Sequence, residues 1–312
     1  MIHRLLLLAQ KELDEPVLGI SKVKNGKWIL TLPSGKWFLK QFIHRKKLLN
    51  QLKIVSLLKE HGFHETIAFH PLHEEKYIEL DGKVFGIMEY IQPSSTPFSY
   101  RSWNERQLAL QVLNRFHLKT SIFFKQLEKT LPKFDQIKKW DQRLQQFLKN
   151  LQYIEPLVPF DYFFPFINCS KKALEEIKKE HSWNRHLCII HGDVANHNFI
   201  LDQNGKLLIF DFDLIAIADK KYDDLQFANR ILPYIDWKLE KLWEHDHFHP
   251  YRQDRSFYLH LLFQTDLFRE WNRYIQSNTI EQKQIWDVLS YLTIDQFNKR
   301  KKFINSIETF LT

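Results

Sequence analysis

The sequence is poor in glycine and cysteine, and it contains no long apolar run. Only 8 of its 312 residues are glycine, so a glycine-rich loop that wraps phosphate groups can only be minimal. The two cysteines, Cys169 and Cys188, form no metal-ligating spacing and imply no disulfide framework. The apolar run Met1–Leu8 is soon broken by polar and charged residues, so it is too short for a membrane span and lacks a small-residue cleavage site. These absences predict a cytoplasmic protein without a membrane span.

Basic residues outnumber acidic ones, 45 to 37, which gives a net charge of +8. Such a balance attracts polyanions such as nucleotides, nucleic acid or anionic surfaces. Basic runs such as Lys299–Lys302 lie beside apolar residues at helical spacing, which is typical of a solvated helix face. Because neither an interleaving of basic and aromatic residues nor a nucleic-acid-binding module accompanies the charge, we expect no nucleic-acid partner. No coiled-coil pattern is present, and we expect a monomer or weak dimer.

Strand patterns dominate the first part of the chain. Four strand-like runs occur in two pairs, and each pair is joined by a short turn: Lys27–Leu32 with Lys36–Phe42, and Lys76–Leu80 with Val84–Tyr90. Between the pairs, apolar residues from Leu48 to Leu58 recur at helical spacing and stop near Gly62. We therefore predict an antiparallel β lobe with one helix over residues 1–91.

The remainder of the chain, after a proline- and serine-rich segment at Pro93–Pro97, has mainly helical patterns. The predicted helices are Asn104–His117 with Asn104 as a possible cap, Phe134–Leu151, a helix that Ser170 opens, Asp224–Arg230, Trp237–Trp243, Arg255–Gln276, Ile280–Leu292 and Thr293–Phe310. We predict a second lobe, mainly helical, over residues 92–312. The fold class is α+β.

One motif indicates a chemistry directly. Asp193 stands five residues before Asn198, and Asp211 follows a short strand–turn–strand segment. Such a loop and hairpin can place these three side chains around one point, as phosphoryl transfer requires. In this interpretation Asp193 accepts or orients the proton of an acceptor hydroxyl, while Asn198 and Asp211 hold Mg²⁺ through oxygen ligands. Asp213 is either a second metal contact or a structural acceptor.

The sequence His-Gly-Asp-x-x-x-x-Asn followed by Ile-x-Asp-Phe-Asp resembles the motif of the aminoglycoside phosphotransferase and choline kinase superfamily, whose members are relatives of protein kinases. The resemblance implies a two-lobed protein-kinase-like fold, bound ATP and Mg²⁺, and transfer of the γ-phosphate to a hydroxyl of a small molecule. Within that superfamily the chain is also similar to the CotS-like spore coat proteins.

Further segments between about residues 20 and 230 share this resemblance. Lys40 is similar to the third-strand lysine that holds the α- and β-phosphates in the family. Glu89, Tyr90 and Ile91 resemble the hinge between lobes, whose backbone meets the edge of adenine. Asp223–Leu225 resembles the aspartate-leucine pair that braces the catalytic lobe. By the same resemblance, we expect the histidine of the motif to be structural.

Two features depart from the family pattern. No glycine-rich loop is present, and Lys22–Lys27 is the only candidate for the turn that covers the phosphates. Residues 44–58 contain no acidic side chain to pair with Lys40, and Gln51 stands near the expected position. An unpaired lysine can still bind phosphate, although its position is less fixed. These departures keep a second hypothesis open, a catalytically weak kinase-like protein with a structural role, for example in a spore coat.

The acceptor remains open between an amino alcohol, a sugar, a nucleoside and similar alcohols, since acceptor contacts in such folds come from variable segments. Asp266 and Glu270 lie four residues apart beside Trp271, and such a set would suit a cationic amine. A helix that packs its apolar face explains the same pattern.

Overall fold

The computed structural model describes residues 2–13, 15–74, 77–180 and 186–311. The helices are α1 (Ile2–Glu12), α2 (Arg45–Glu60), α3 (Trp103–Phe123), α4 (Gln136–Ile154), α5 (Phe164–Lys179), α6 (Lys221–Ile231), α7 (Leu239–Leu242), α8 (Arg255–Leu262), α9 (Thr265–Gln276), α10 (Thr279–Ser290) and α11 (Phe297–Leu311). The strands are β1 (Gly19–Lys24), β2 (Lys27–Leu32), β3 (Gly35–Phe42), β4 (Ile78–Leu80), β5 (Lys83–Glu89), β6 (Leu187–Ile190), β7 (Phe199–Leu201), β8 (Leu207–Ile209) and β9 (Ala216–Asp219). No helix among the described residues is long and apolar enough to cross a membrane.

The chain divides into two compact units. The first contains Met1–Pro132 and Leu187–Ile217, and the second contains Lys133–His186 and Ala218–Thr312. The α+β class is confirmed, since one unit is built on an antiparallel sheet and the other is mainly helical. The lobe boundary near residue 91 stays a prediction.

The first unit contains the antiparallel sheet that the sequence predicts. Its strand order is β1-β2-β3-β5-β4, and all neighbouring strands run antiparallel. Asn25-Gly26 joins β1 to β2, Asp81-Gly82 joins β4 to β5, and both glycines have positive φ, as such tight hairpin turns require. Lys76, at which the third strand-like run starts, lies outside the described residues.

Helix α1 covers one face of this sheet, and the sequence pattern does not predict it. Leu5, Ala9 and Leu13 follow one another at helical spacing and are buried. They pack against sheet residues that share one face, which are Trp28, Leu30, Leu32, Leu39, Phe85 and Ile87. A short apolar run looks alike in a helix and in a buried strand, so only contact with the sheet determines which of the two forms.

The opposite face of the sheet bears the side chains of the predicted site. Because side chains alternate along a strand, the neighbours of the residues under α1 point the other way. Lys27 and Ile29 on β2, Phe38 and Lys40 on β3, and Met88 on β5 all line a cavity there. The alternation along each strand thus places core residues on one face of the sheet and the residues of the candidate site on the other.

Helix α2 packs beside this cavity, and its apolar period was sufficient to predict it. Leu48 forms a small buried cluster with Phe42 and Val84. A Cβ added to Gly86 would lie 2.8 Å from Phe42 Cε2 and 3.0 Å from Leu48 Cδ1, so the close approach of α2 requires glycine in β5.

The β7–β8 hairpin is hydrogen-bonded to the rest of the first unit. The Ser94 N–H donates to Leu201 O at 2.8 Å, and the Ile209 N–H donates to Glu65 O at 2.8 Å. These bonds link the hairpin to the segments on either side of β4 and β5. The motif that follows β6 therefore belongs to the same unit as the sheet.

Ser102, rather than Asn104, caps helix α3. The Ser102 hydroxyl accepts a hydrogen bond from the Glu105 N–H at 3.1 Å, and the Glu105 carboxylate accepts one from the Ser102 N–H at 2.9 Å. This reciprocal pair satisfies two donors that the first turn leaves open, which an Asn104 cap would not achieve.

Helices dominate the second unit. Two predictions there are wrong, the helix start at Ser170 and the continuous helix over Arg255–Gln276, and one hydrogen bond explains both. Helix α5 begins at Phe164, so Ser170 lies buried inside it rather than at its start. The Ser170 hydroxyl instead accepts a hydrogen bond from the Gln264 N–H at 3.1 Å. That bond falls at the break between α8 and α9, where the sequence predicts one continuous helix over Arg255–Gln276.

Asp224 ties helix α6 to a later segment of the same unit. Its fully buried carboxylate accepts hydrogen bonds from Tyr251 Oη at 2.6 Å and from His247 Nε2 at 2.7 Å. A buried carboxylate needs such partners, because an isolated charge would be costly there. This is the bracing arrangement that the resemblance implies for Asp223–Leu225.

We predict that this unit loses stability in mild acid through His260. The His260 ring is buried, its Nδ1 donates to Ser256 O at 2.7 Å, and burial lowers the pKa of His260 from 6.5 to about 3. The folded state binds this proton less readily than the unfolded chain does. The stability that the neutral His260 ring contributes is therefore complete above pH 6.5 and is lost progressively as the pH falls from 6.5 toward about 3. At pH 5 we expect the free energy of unfolding to be lower by about 2 kcal/mol than above pH 6.5.

Urea unfolding at pH 7.5 and pH 5.0, for the wild type and for His260→Gln, measures this loss. The variant is expected to show a smaller difference in unfolding free energy between the two pH values. Equal differences in the two proteins would contradict the role of His260.

Candidate active site

Asp211 lies at the centre of an ionic cluster in the first unit. It follows β8 with φ 68° and ψ 60°, a left-handed conformation that aspartate tolerates better than most residues. Its Oδ1 accepts from Lys40 Nζ at 2.6 Å, and its Oδ2 accepts from Lys27 Nζ at 3.4 Å. The structure therefore brings Lys40 and Asp211 into direct contact. It adds Lys27, which the sequence placed at the end of the candidate phosphate-covering turn without a role of its own.

The charges of this cluster stabilise one another. Burial alone would raise the pKa of Asp211, but the Lys40 and Lys27 ammonium groups lower it well below its ordinary value. Burial lowers the pKa of Lys27, the positive charges of Lys40 and Lys24 lower it further, and Asp211 opposes the shift. Asp211 is thus an anionic oxygen donor in a region of positive charge, which suits a site for metal ions and phosphate groups.

Asp213 supplies the carboxylate that helix α2 lacks. Lys40 Nζ donates to Asp213 Oδ2 at 2.8 Å, and Gln51 Nε2 donates to Asp213 Oδ1 at 2.6 Å. Gln51 is only 3% exposed, so α2 holds Asp213 firmly and Asp213 in turn orients Lys40. The missing acidic residue near position 51 therefore does not leave Lys40 without a partner. Whether Asp213 also contacts a metal stays a prediction.

Backbone and histidine contacts shape the loop that contains Asp193. Buried His191 donates from Nε2 to Phe210 O at 2.9 Å, because a carbonyl can only accept. Its Nδ1 then accepts from the Asp193 N–H at 3.3 Å. Asn198 Nδ2 donates to Asp193 O at 2.8 Å and to Asp193 Oδ2 at 3.1 Å. His191 therefore has the structural role expected of it, and Asp193 and Asn198 are in contact.

Phe210 connects the two halves of the site. Its N–H donates to Asn198 O at 3.0 Å, and its carbonyl accepts from His191. Asp211 is the next residue, so the Asp193 loop and the Asp211 cluster are held through one shared residue.

Tyr100 is a second structural residue that the sequence analysis missed. Its buried hydroxyl donates to Val194 O at 2.9 Å, directly after Asp193. Tyr100 lies more than ninety positions away along the chain, and no local pattern marks this contact.

Gly192 makes the tight turn of this loop possible, and we predict that Gly192→Ala impairs both folding and transfer. Its φ is +76°, and an added Cβ would lie 2.3 Å from Leu214 O. Gly205 is a matched control, since it has φ +81° but nothing within 4 Å of an added Cβ. Both variants incur backbone strain of about 1 kcal/mol, but only Gly192→Ala adds a clash beside Asp193.

Thermal melting and phosphoryl-transfer assays compare the two variants. Gly192→Ala is expected to melt well below Gly205→Ala and to lose most of its transfer activity. Similar melting temperatures and similar activities would contradict the importance of the close approach to Leu214.

A cavity of about 310 Å³ adjoins this cluster in the first unit. Side chains and backbone of the following residues line it: Val23, Lys27, Ile29, Phe38, Lys40, Gln51, Ile67, Met88, Glu89, Tyr90, Ile91, Pro93, Ile200, Phe210 and Asp211. The three hinge residues predicted from the sequence, Glu89, Tyr90 and Ile91, thus border the same cavity as Lys40 and Asp211. Its walls are largely apolar with charges at one end, which suits a flat base attached to an anionic group.

The residues present fit a magnesium ion. Among the described residues no group of three or more histidine, cysteine or acidic side chains forms a self-contained metal cage. Magnesium is usually held by one or two carboxylates together with substrate phosphates and water, so a full cage is not needed. Asp211 provides a carboxylate. The Asn198 NH₂ is committed to Asp193, which leaves its amide oxygen as the atom to face a cation.

The acidic and aromatic set on α9 has a structural role in the second unit. Arg300, fully buried, donates from Nη1 to Asp266 Oδ1 at 3.0 Å, so Asp266 is already neutralised. Trp271 Nε1 donates to Thr293 Oγ1 at 2.9 Å, and its ring is buried. These contacts favour helix packing over recognition of a cationic amine.

The chain belongs to the phosphotransferase enzyme family (APH), whose family model matches residues 20–223. This match confirms the predicted superfamily and the predicted enzyme class. The narrower likeness to CotS-like spore coat proteins stays a prediction. No curated protein sequence matches the chain.

Solved structures confirm the predicted kinase-like fold. An aminoglycoside phosphotransferase from Alicyclobacillus acidocaldarius is 16% identical, with a TM-score of 0.69 over 95% of this chain and 92% of that chain. Spectinomycin phosphotransferase APH(9)-Ia bound to AMP is 14% identical, with a TM-score of 0.65 over 98% of this chain and 94% of that chain. Choline kinase LicA from Streptococcus pneumoniae is 13% identical, with a TM-score of 0.55 over 98% and 99%.

Proposed function

We propose that this protein is an ATP-dependent phosphotransferase that moves the γ-phosphate to a hydroxyl of a small molecule. The observation that supports it best is the continuous set of contacts from Lys40 through Asp211 and Phe210 to the loop that holds Asp193 and Asn198. Each group stands in the sequence order and structural context that phosphoryl transfer requires.

Each residue has a distinct role in this proposal. Lys40, oriented by Asp213, binds the phosphates of the nucleotide, and Asp193 receives or orients the proton of the acceptor hydroxyl. Asn198 and Asp211 would hold Mg²⁺, which when bound supplies positive charge to the phosphate oxygens.

The apolar part of the cavity is proposed to bind adenine. Met88 and Phe38 line this part from the sheet, and Glu89, Tyr90 and Ile91 line it at or beyond the end of β5, where the family resemblance implies backbone contacts to the edge of adenine. Val23 is 53% exposed and lies at a bulge in β1, yet it lines the same cavity, so a bound base would cover it.

The proposed acceptor is a small alcohol of the amino alcohol, sugar or nucleoside type. Structures of similar fold include proteins crystallised with AMP, ADP with spectinomycin, and GDP with kanamycin, which supports a nucleotide and a hydroxyl compound as the two substrates. We propose that the enzyme acts in the cytoplasm, as a monomer or weak dimer.

The structure favours this function over a catalytically weak structural protein. That alternative depends on the missing acidic residue of α2, on the reduced glycine loop and on the likeness to CotS-like spore coat proteins. Asp213 provides a carboxylate for Lys40 at 2.8 Å, which removes the first of these arguments.

Thermal melting with ATP, with Mg²⁺, with both and with neither tests nucleotide binding, because a ligand that binds the folded state raises its melting temperature. We expect the largest rise with ATP and Mg²⁺ together. A screen of small alcohols for ADP release, with Asp193→Asn as the blank, then identifies the acceptor. No rise at millimolar nucleotide would favour the structural alternative and reject the proposal.

A further inference from the structure

We propose that Lys27 is a second phosphate-binding lysine, which supplies by a side-chain cation the contact that a glycine-rich loop supplies through its backbone. This inference rests on the proposed function and concerns the polyphosphate part of the nucleotide. Three observations support this role: the position of Lys27 in the sheet, its contacts, and the shortness of the turn that precedes it.

The position of Lys27 is set by strand pairing. Lys27 is the first residue of β2 and is directly opposite Lys40 in the β2–β3 register. Cross-strand partners in an antiparallel sheet point to the same face. Both lysines therefore line the same cavity, and both donate to the Asp211 carboxylate.

The turn before Lys27 is too short to wrap a polyphosphate. Asn25-Gly26 is the whole connection between β1 and β2, and Gly26 is the one glycine between Gly19 and Gly35. The Gly26 carbonyl accepts a hydrogen bond from the Gln41 N–H at 2.7 Å, which fastens the turn to β3. A two-residue turn has only two backbone N–H groups of its own to offer phosphate oxygens, so a cationic side chain is the available substitute.

The contacts of Lys27 leave it able to exchange partners. Its distance to Asp211 is 3.4 Å, against 2.6 Å for Lys40, and its side chain is 20% exposed against 7% for Lys40. Lys40 also has Asp213 as a partner, whereas among the described residues the hydrogen bond of Lys27 goes to Asp211 alone. Because Lys27 makes the longer and less enclosed of the two lysine contacts to Asp211, it is the lysine that loses less when a phosphate oxygen replaces Asp211 as its partner.

Two ammonium groups on one face also define the ligand. They repel each other across the strand pair unless anionic groups lie between them. A ligand with several neighbouring negative charges satisfies both lysines at once, while a single uncharged group does not. The chemical class that fits is therefore a nucleoside di- or triphosphate rather than a nucleoside.

Isothermal titration calorimetry of ATP and of adenosine, with the wild type, Lys27→Met and Lys24→Met, tests the proposal. Lys24 lies on the other side of the same turn, beside the bulge in β1, and it does not line the cavity although it pairs with Lys27 in register. Its variant therefore removes an equal charge nearby without removing a side chain of the cavity. Lys27→Met is expected to weaken ATP binding about 10- to 100-fold and to leave adenosine affinity within about twofold. Lys24→Met is expected to change ATP affinity by less than about threefold.

Lys27→Arg controls for packing, since it keeps the charge and is expected to retain ATP affinity within about threefold. Adenosine binding by Lys27→Met shows that the cavity is folded. Equal ATP affinities for Lys27→Met and Lys24→Met, with a wild type that binds ATP, would overturn the role of Lys27 alone. A wild type that binds neither ATP nor adenosine would reject the proposed function and this inference together.

Discussion

Replacement of Asp193 by asparagine is expected to reduce phosphoryl transfer by about 10²- to 10⁴-fold while ATP affinity changes by less than about threefold. Asparagine has the shape of aspartate, and its side-chain oxygen can still accept the hydrogen bond that Asn198 Nδ2 makes at 3.1 Å. The loop should therefore keep its geometry. What the variant loses is the group that takes the proton from the acceptor hydroxyl, and that group acts only in the transfer step.

Steady-state ADP release with the acceptor found by screening, together with calorimetric ATP binding, measures both quantities. Asp246→Asn is a suitable control, because its side chain is 91% exposed and lies in the second unit. It should transfer phosphate at the wild-type rate. Substantial turnover by Asp193→Asn, or an equal loss in both variants, would remove Asp193 from the role of proton acceptor.

Replacement of Asp211 by asparagine is expected to abolish both transfer and the effect of Mg²⁺ on ATP affinity. Asparagine is preferable to alanine here, because residue 211 has φ 68° and asparagine adopts this conformation readily. The variant keeps the side-chain volume but removes the charge that would hold the metal. It also frees Lys40 and Lys27 from their shared carboxylate, so metal-free ATP should bind at least as tightly as it does to the wild type.

Calorimetric titration of ATP with Mg²⁺ and with a chelator gives the ratio of the two affinities. In the wild type we expect this ratio to exceed about 10, whereas in Asp211→Asn it should approach 1, since the lost metal contact is charge-assisted. A ratio that stays at the wild-type value would contradict the assignment of Asp211 as a metal ligand. Gln203→Asn, on the exposed turn of the same hairpin, should leave the ratio unchanged.

The sheet and the motif loop could be predicted because their signals are local. Short turns such as Asp81-Gly82 set the predicted hairpins, and alternation along each strand sets the faces. The spacing from Asp193 to Asn198 and Asp211 lies within one short segment of chain. A local pattern of this kind needs no knowledge of distant partners.

The remaining features depend on contacts between distant parts of the chain. Lys27 matters because the strand register places it opposite Lys40, and Asp213 matters because Gln51 reaches it from 162 positions away. Neither relation has a local signature. The prediction that Ser170 starts a helix is wrong for the same reason. Its hydroxyl accepts a hydrogen bond from the Gln264 N–H, between α8 and α9, instead of capping a helix.

The most direct test of a nucleotide site in this cavity is chemical labelling with an acyl phosphate of ATP. A lysine amine near the bound phosphates attacks the acyl carbonyl, an amide bond forms and ATP leaves, so peptide mass spectrometry then identifies the lysine. We expect labelling of Lys40 or Lys27, which both line the cavity, and suppression of that labelling by excess ATP with Mg²⁺. Labelling that falls only on other lysines and is unaffected by ATP would contradict a nucleotide site in this cavity.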